Sequence, residues 1–180
     1  ARLTGNGFSV QLNSGEYGGW PLSEGSVTIP RFDSREDRLR VYAKGAGPVV
    51  DAMRNLVNSG IMGEDGNDFD PERFSGDASM TFELFMPLRN RVKSEDIDIK
   101  LTGTVTDGGL TDALPGLDLV GGQVDVLLSE NRLVLTGFGD LGPAPVQFTW
   151  RDDLDDDGAP ANLSASSFIS PDFLNRFGIV

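Results

Sequence analysis

Apolar and polar residues alternate with a period of two along most of this chain, and the alternation recurs with turn signals between its copies. Successive side chains of a strand point to opposite faces, so this is the pattern of half-buried antiparallel strands. Phe8-Ser9-Val10-Gln11-Leu12, Val27-Thr28-Ile29, Leu39-Arg40-Val41-Tyr42-Ala43 and Met80-Thr81-Phe82-Glu83-Leu84 carry it in the first half. Ile97 to Thr102, Val124-Asp125-Val126, Leu133-Val134-Leu135, Val146 to Trp150 and Asn162 to Ala165 carry it in the second. About ten strands are expected. Asp107-Gly108-Gly109, Gly121-Gly122, Ser129-Glu130-Asn131 and Gly142-Pro143 read as chain reversals, because each supplies a residue suited to positive φ or a fixed φ. The longest polar interruption, residues 58–75, reads as a mobile loop.

Two segments break the strand pattern. Gly47 to Val57 has Pro48 at the start and apolar residues at 49, 52, 53, 56 and 57, the spacing of one helical face. Ser170 to Gly178 offers a Ser cap, Pro171, an early acid and a closing glycine. Each candidate helix follows a strand, a charged turn and a strand, which suggests internal repeat units near 25–60 and 145–180. Two short helices cannot cover so large a sheet face-on, so they are expected at its ends or edges.

A one-faced apolar sheet must hide that face, since each fully buried Val, Leu, Ile or Phe contributes about 1.5 to 3 kcal/mol. Three solutions remain open on the pattern alone. The face closes as a barrel or sandwich, packs on a neighbouring repeat, or is held against apolar ligands. At 180 residues the chain suits a single β-rich domain, or a fragment of a longer repeat array.

Composition limits the chemistry. With no Cys and no His there is no catalytic thiol, imidazole base, Ser-His-Asp triad or zinc site of the usual type. The net charge of −13, of which −9 falls in residues 91–180, repels phosphate backbones, so no nucleic-acid partner is expected. No apolar run reaches the roughly 20 residues of a membrane span. The chain opens on Ala1-Arg2-Leu3 and closes on Phe177-Gly178-Ile179-Val180, which reads as a piece of a longer protein with any anchor outside it.

Three motifs invite chemistry and are read conservatively. Asp153, Asp155 and Asp157 with Gly158 match the first half of a calcium loop, but Ser164 stands where a bidentate Glu is needed and Pro160 intrudes. A solvated hairpin turn accounts for them. Gly137-Phe138-Gly139-Asp140-Leu141-Gly142 spells a dinucleotide fingerprint, yet Pro143-Ala144-Pro145 leads into a strand instead of a helix. The many carboxylates, Asp98 and Asp125 among them, belong on the wet face of strands, while Trp20 and Trp150 suit the core or rim of the sheet. No nucleophile and base converge, so no enzyme activity and no cofactor are expected.

Several phrases resemble the periplasmic domain of AsmA-like proteins, bacterial envelope proteins related to bridge-like lipid-transfer proteins. Gly76 to Leu88 looks like that family's glycine-led strand ending in an apolar-Pro-Leu step. Ile97 to Thr106, Leu119 to Leu128 and Leu133 to Val146 are similar to its following strands and Gly-rich turn, and Leu163 to Ser166 with Pro171 to Gly178 resembles its closing strand and short helix. The resemblance covers most of residues 25–180. It implies a large curved antiparallel sheet, groove-like or partly closed, with two short helices. It further implies phospholipid acyl chains as cargo, adjoining segments of the full-length chain as neighbours, and a periplasmic location with an inner-membrane anchor. Function would then be to shield or conduct acyl chains between membranes, or to support outer-membrane assembly. The expected lining is Ile97, Ile99, Leu101, Val124, Val126, Leu133, Leu135, Val146, Phe148 and Trp150. The rival expectation is a β-sandwich protein-interaction module of a cell-surface or repeat protein, binding through an edge or loops.

Overall fold

The computed structural model describes residues 2–4, 7–31, 38–58, 70–93, 96–154 and 160–168, with side chains from residue 7 onward. Strands β1 (Arg2–Thr4), β2 (Gly7–Leu12), β3 (Gly15–Tyr17), β4 (Trp20–Ile29) and β5 (Arg38–Pro48) lead into helix α1 (Val49–Asn58). A single 3-10 turn (Pro71–Arg73) then precedes β6 (Phe74–Pro87), β7 (Asp98–Leu114), β8 (Leu117–Ser129), β9 (Arg132–Leu141), β10 (Ala144–Asp153) and β11 (Asn162–Ser167). All the strands join one sheet in the order β1-β2-β4-β5-β6-β7-β8-β9-β10-β11, every pairing antiparallel. β3 pairs with the same edge of β4 as β2 does, so β2 and β3 form one interrupted column. The sheet does not close on itself: β1 and β11 end the path.

The antiparallel, mainly β expectation is therefore met. The sandwich form of the rival is not, because the described strands make one sheet instead of two. One helix is described where two were expected; the second, residues 170–178, lies outside the described residues, as does loop 59–69. The interruption expected at 58–75 also ends sooner than its polar letters suggest. Asp70 caps the 3-10 turn by accepting the Glu72 N–H at 3.0 Å, and β6 begins at Phe74.

The expected turn letters reverse the chain at some positions and not at others. Glu130 and Asn131, with φ of 53° and 56°, reverse the chain between the paired residues Ser129 and Arg132, as a two-residue hairpin turn requires. Asp107-Gly108-Gly109 and Gly121-Gly122, by contrast, lie inside β7 and β8, whose true reversal is Pro115-Gly116. There Asp107 at 50° and Gly121 at 61° mark register shifts, and Gly108 faces Gly122. A positive φ serves a bulge as well as a turn, and the same letters cannot say which.

Packed interior is scarce. Among the described residues only Trp20, Val49, Ala78 and Ala144 are buried apolar groups, and no large side chain is fully buried. α1 lays Val49, Ala52 and Met53 over Trp20, Leu22, Ala78, Met80 and Val105. Arg54 bridges Asp51 at 2.6 Å and Glu72 at 2.9 Å, and Asn55 donates to the Tyr17 carbonyl at 3.1 Å, so the helix is tied down at both sides. The chain exposes 12267 Å². A compact folded chain of its mass would expose about 8,500 Å². The excess is in the direction an uncovered sheet face requires.

Candidate functional site

Strand register assembles the apolar half of every alternating segment on one side. Residues directly opposite in antiparallel strands share a face. One row runs Val10, Val27, Val41, Leu84 and Ile99 across β2, β4, β5, β6 and β7. A second runs Ala43, Phe82, Leu101, Leu128 and Leu133, from β5 to β9. A third runs Met80, Gly103, Val126, Leu135, Trp150 and Leu163, reaching β11. A fourth places Ala78, Val105, Val124, Gly137, Phe148 and Ala165 in line, and Val146 follows beside Gly139. α1 covers only the end of this face around Ala78, Met80 and Val105.

Of the ten lining residues expected from sequence, nine therefore lie on this face. Ile97 stands just before β7, partly buried and outside any strand. Phe8, Val10, Val27, Val41, Met80, Phe82 and Leu84 extend the same face but were absent from the expected lining. Their alternation was visible; only their alignment with the later strands was not. Trp20 is the buried anchor under α1, whereas Trp150 is 40% exposed at the open rim.

The opposite face is polar. Ser79, Thr104, Asp125, Thr136, Thr149 and Ser164 form one row across it, with Thr104 donating to Asp125 at 3.0 Å. Exposed apolar side chains occur on both sides, Trp150 and Leu163 on the apolar face being 40% and 66% exposed. Phe138 and Leu127 on the polar face are 51% and 43% exposed, whereas Phe148, Val126 and Leu128 on the apolar face are partly buried. Two shallow depressions of about 450 and 470 Å³ lie mainly on the polar face, meeting at Phe138, Gln147 and Ser166. The first is lined largely by hydroxyls and amides and the second mainly by glycines and apolar residues such as Phe138, Val146 and Phe168, and each holds a single carboxylate, Asp125 or Asp140. Neither brings the two carboxylates of a glycosidase together.

Basic residues gather toward one end of the strands, together with the acids Glu83, Asp96 and Asp98, and the acidic end in turn holds Arg54 and Arg73. The ends of β5, β6 and β7 away from α1, with the segment after β6, carry Arg38, Arg40, Arg89, Arg91, Lys93 and Lys100. Arg40 lies 5.8 Å from the centre of the Phe85 ring. Asp96 accepts the Lys93 backbone N–H at 2.9 Å and pairs with Arg89, and these contacts hold its carboxyl below the ordinary value. At the α1 end stand Asp70, Glu72, Asp77, Asp107, Asp112, Asp118 and Asp140. No group of three acids is placed to hold a metal among the described residues. Asp153 pairs with Arg132 at 3.6 Å, while Asp155 and Asp157 lie outside them. The Gly137 to Gly142 segment ends β9 and turns into β10, the wrong setting for pyrophosphate. No described helix is long and apolar enough to cross a membrane.

No family model, curated protein or solved structure matches this chain.

Proposed function

We propose that this chain is a periplasmic segment of an AsmA-like envelope protein, whose apolar sheet face shields phospholipid acyl chains and conducts them between membranes or supports outer-membrane assembly. One observation carries the reading: rows of apolar side chains run from strand to strand with, among the described residues, only one short helix over one end of them. Hydrocarbon is the natural cover for such a face. The resemblance of residues 25–180 to the family supplies the cellular setting, including an inner-membrane anchor outside the chain.

The mechanism is burial without bond-breaking. Each CH₂ that leaves water gains about 0.8 kcal/mol, whether it enters a bilayer or packs on this face. Passage from bilayer to face is therefore close to balanced. From β6 to β9 the apolar rows carry no polar side chain, Asp152 opposite Leu133 entering only on β10, so a chain can slide there instead of being trapped. Arg38, Arg89 and Arg91, beside the Leu84 and Ile99 end of that face, suit the phosphate of a headgroup left in water.

A photocrosslinking amino acid tests the reading directly. Placed at Leu135 on the apolar face it should capture phospholipid in cells, and placed at the neighbouring Thr136 on the polar face it should not. Equal capture at both positions, or none at Leu135, would refute the proposal.

A further inference from the structure

Charged residues are distributed across this sheet in an unusual order. Native sheets guard their open edges with charges, prolines or bulges, because an unpaired strand edge recruits other strands. Here the interior strands carry the charges. β4 holds Glu24, β5 holds Arg38, Arg40 and Lys44, β6 holds Asp77 and Glu83, and β7 to β10 each hold at least two. Among the strands of six or more residues, β2 (Gly-Phe-Ser-Val-Gln-Leu) and β11 (Asn-Leu-Ser-Ala-Ser-Ser) alone hold none. These are the outermost strands of that length.

Neither is covered. All six residues of β11 are exposed, and the strand has neither a proline nor a register shift against β10. On the other side β1 pairs with only Gly7, Phe8 and Ser9. Val10, Gln11 and Leu12 have no strand on that margin among the described residues. In a chain of net charge −13, with 24% charged residues, the β11 and β1–β2 margins, whose one strand charge is Arg2 of β1, are the places least repelled by another copy.

Geometry makes the two margins complementary. The sheet has ten columns joined by antiparallel pairings, so β1 and β11 run in opposite directions. A second copy moved sideways, without rotation, brings its β1 beside β11 as the next antiparallel strand. Its apolar face then lies on the same side as the first. An odd number of columns would have made that junction parallel.

We propose that this chain associates head to tail, β11 of one copy adding to the β1–β2 margin of the next, so that successive copies extend one sheet and one apolar face. The inference does not depend on what occupies that face. Because the contact is between two different edges, it is open-ended and grows beyond a dimer.

Sedimentation velocity over a wide concentration range reads the outcome. The wild-type chain should pass from 19.3 kDa monomer to dimer, trimer and higher multiples as concentration rises. The double variant Ser164→Lys with Ser166→Lys places two cations on β11 at exposed positions of the polar face, and should weaken association by roughly tenfold or more. The matched variant Gln147→Lys with Thr149→Lys puts the same charges one strand inward, on β10, and should associate like the wild type. Circular dichroism establishes that both variants are folded. A wild-type chain that stays monomeric throughout overturns the proposal, and so does one that stops at a dimer. Association that survives the β11 lysines but disappears in Val126→Asp also overturns it, by assigning the contact to the apolar face.

Discussion

Replacing Phe148 with Asp separates an open apolar face from a closed core. Phe148 lies in β10 between Gly137 and Ala165, with its ring end over Gly137: a Cβ added there would stand 3.1 Å from Phe148 Cζ. Full burial of a phenylalanine is worth up to about 3 kcal/mol, and this one is only partly buried, so its removal costs roughly 1 to 2 kcal/mol. Asp adds up to about 1 kcal/mol through its poor fit to a strand. The new carboxylate faces solvent in the unoccupied sheet and adds little more. Against a typical domain stability of about 5 to 15 kcal/mol, the variant stays folded. Acyl chains, however, would have to desolvate that carboxylate, and retention should fall at least about tenfold. Urea unfolding followed through Trp20 and Trp150 gives the stability change, and retention of a fluorescent phospholipid gives the binding. If the variant is unfolded, or loses more than about 5 kcal/mol, the face is a closed core after all. Unchanged retention would refute the lipid reading.

The remaining expectations concern the frame that holds this face. Trp20→Ala should cost about 3 to 5 kcal/mol in urea unfolding, because Trp20 is 7% exposed and carries the contact between α1 and the sheet. A loss below about 1 kcal/mol would remove α1 from the account. Gly103→Val should destabilise by about 1 to 3 kcal/mol, since a Cβ there overlaps Met80 Sδ and the Ser79 carbonyl oxygen; thermal denaturation measures it. Asp96, whose carboxyl is held low by the Lys93 N–H and then by Arg89, stabilises the fold above the ordinary carboxylate range. That contribution disappears as pH falls through the lowered value, and Asp96→Asn should lose the acid-side dependence. A carboxyl NMR titration with its midpoint at or above the ordinary value would contradict the contact.

How much of this was legible in the sequence depends on the range of the signal. Period-two alternation is local, so Val124-Asp125-Val126 and Leu133-Val134-Leu135 declare both their strand and its apolar side. Gly47 to Val57 likewise announces a helix, observed as Val49–Asn58, because Pro48 and the apolar spacing act within a few residues. Register is a property of pairs and is not local. That Val10, Val27, Val41, Leu84 and Ile99 form one row follows from pairings between residues as far apart as Val41 and Leu84, forty-three positions, and cannot be read from any one segment. Asp107 and Gly121 sit at bulges whose letters read like turns, because positive φ is compatible with both. The single large sheet was expected from the family resemblance, and the alternation by itself does not specify it. A face that is apolar in sequence reads alike whether it meets a second sheet, a repeat or hydrocarbon. The candidate site was visible as a list of alternating residues, and its continuity across the strands emerged only from the pairing.

The central claim is that the uncovered apolar face holds hydrocarbon. Native mass spectrometry of the purified chain, with solvent extraction and lipid identification from the same sample, tests it most directly. The account predicts phospholipid in stoichiometric amount, lost when a charge is placed at Phe148. A chain that is lipid-free on purification, and stays so after incubation with phospholipid vesicles, would contradict it whatever its state of association.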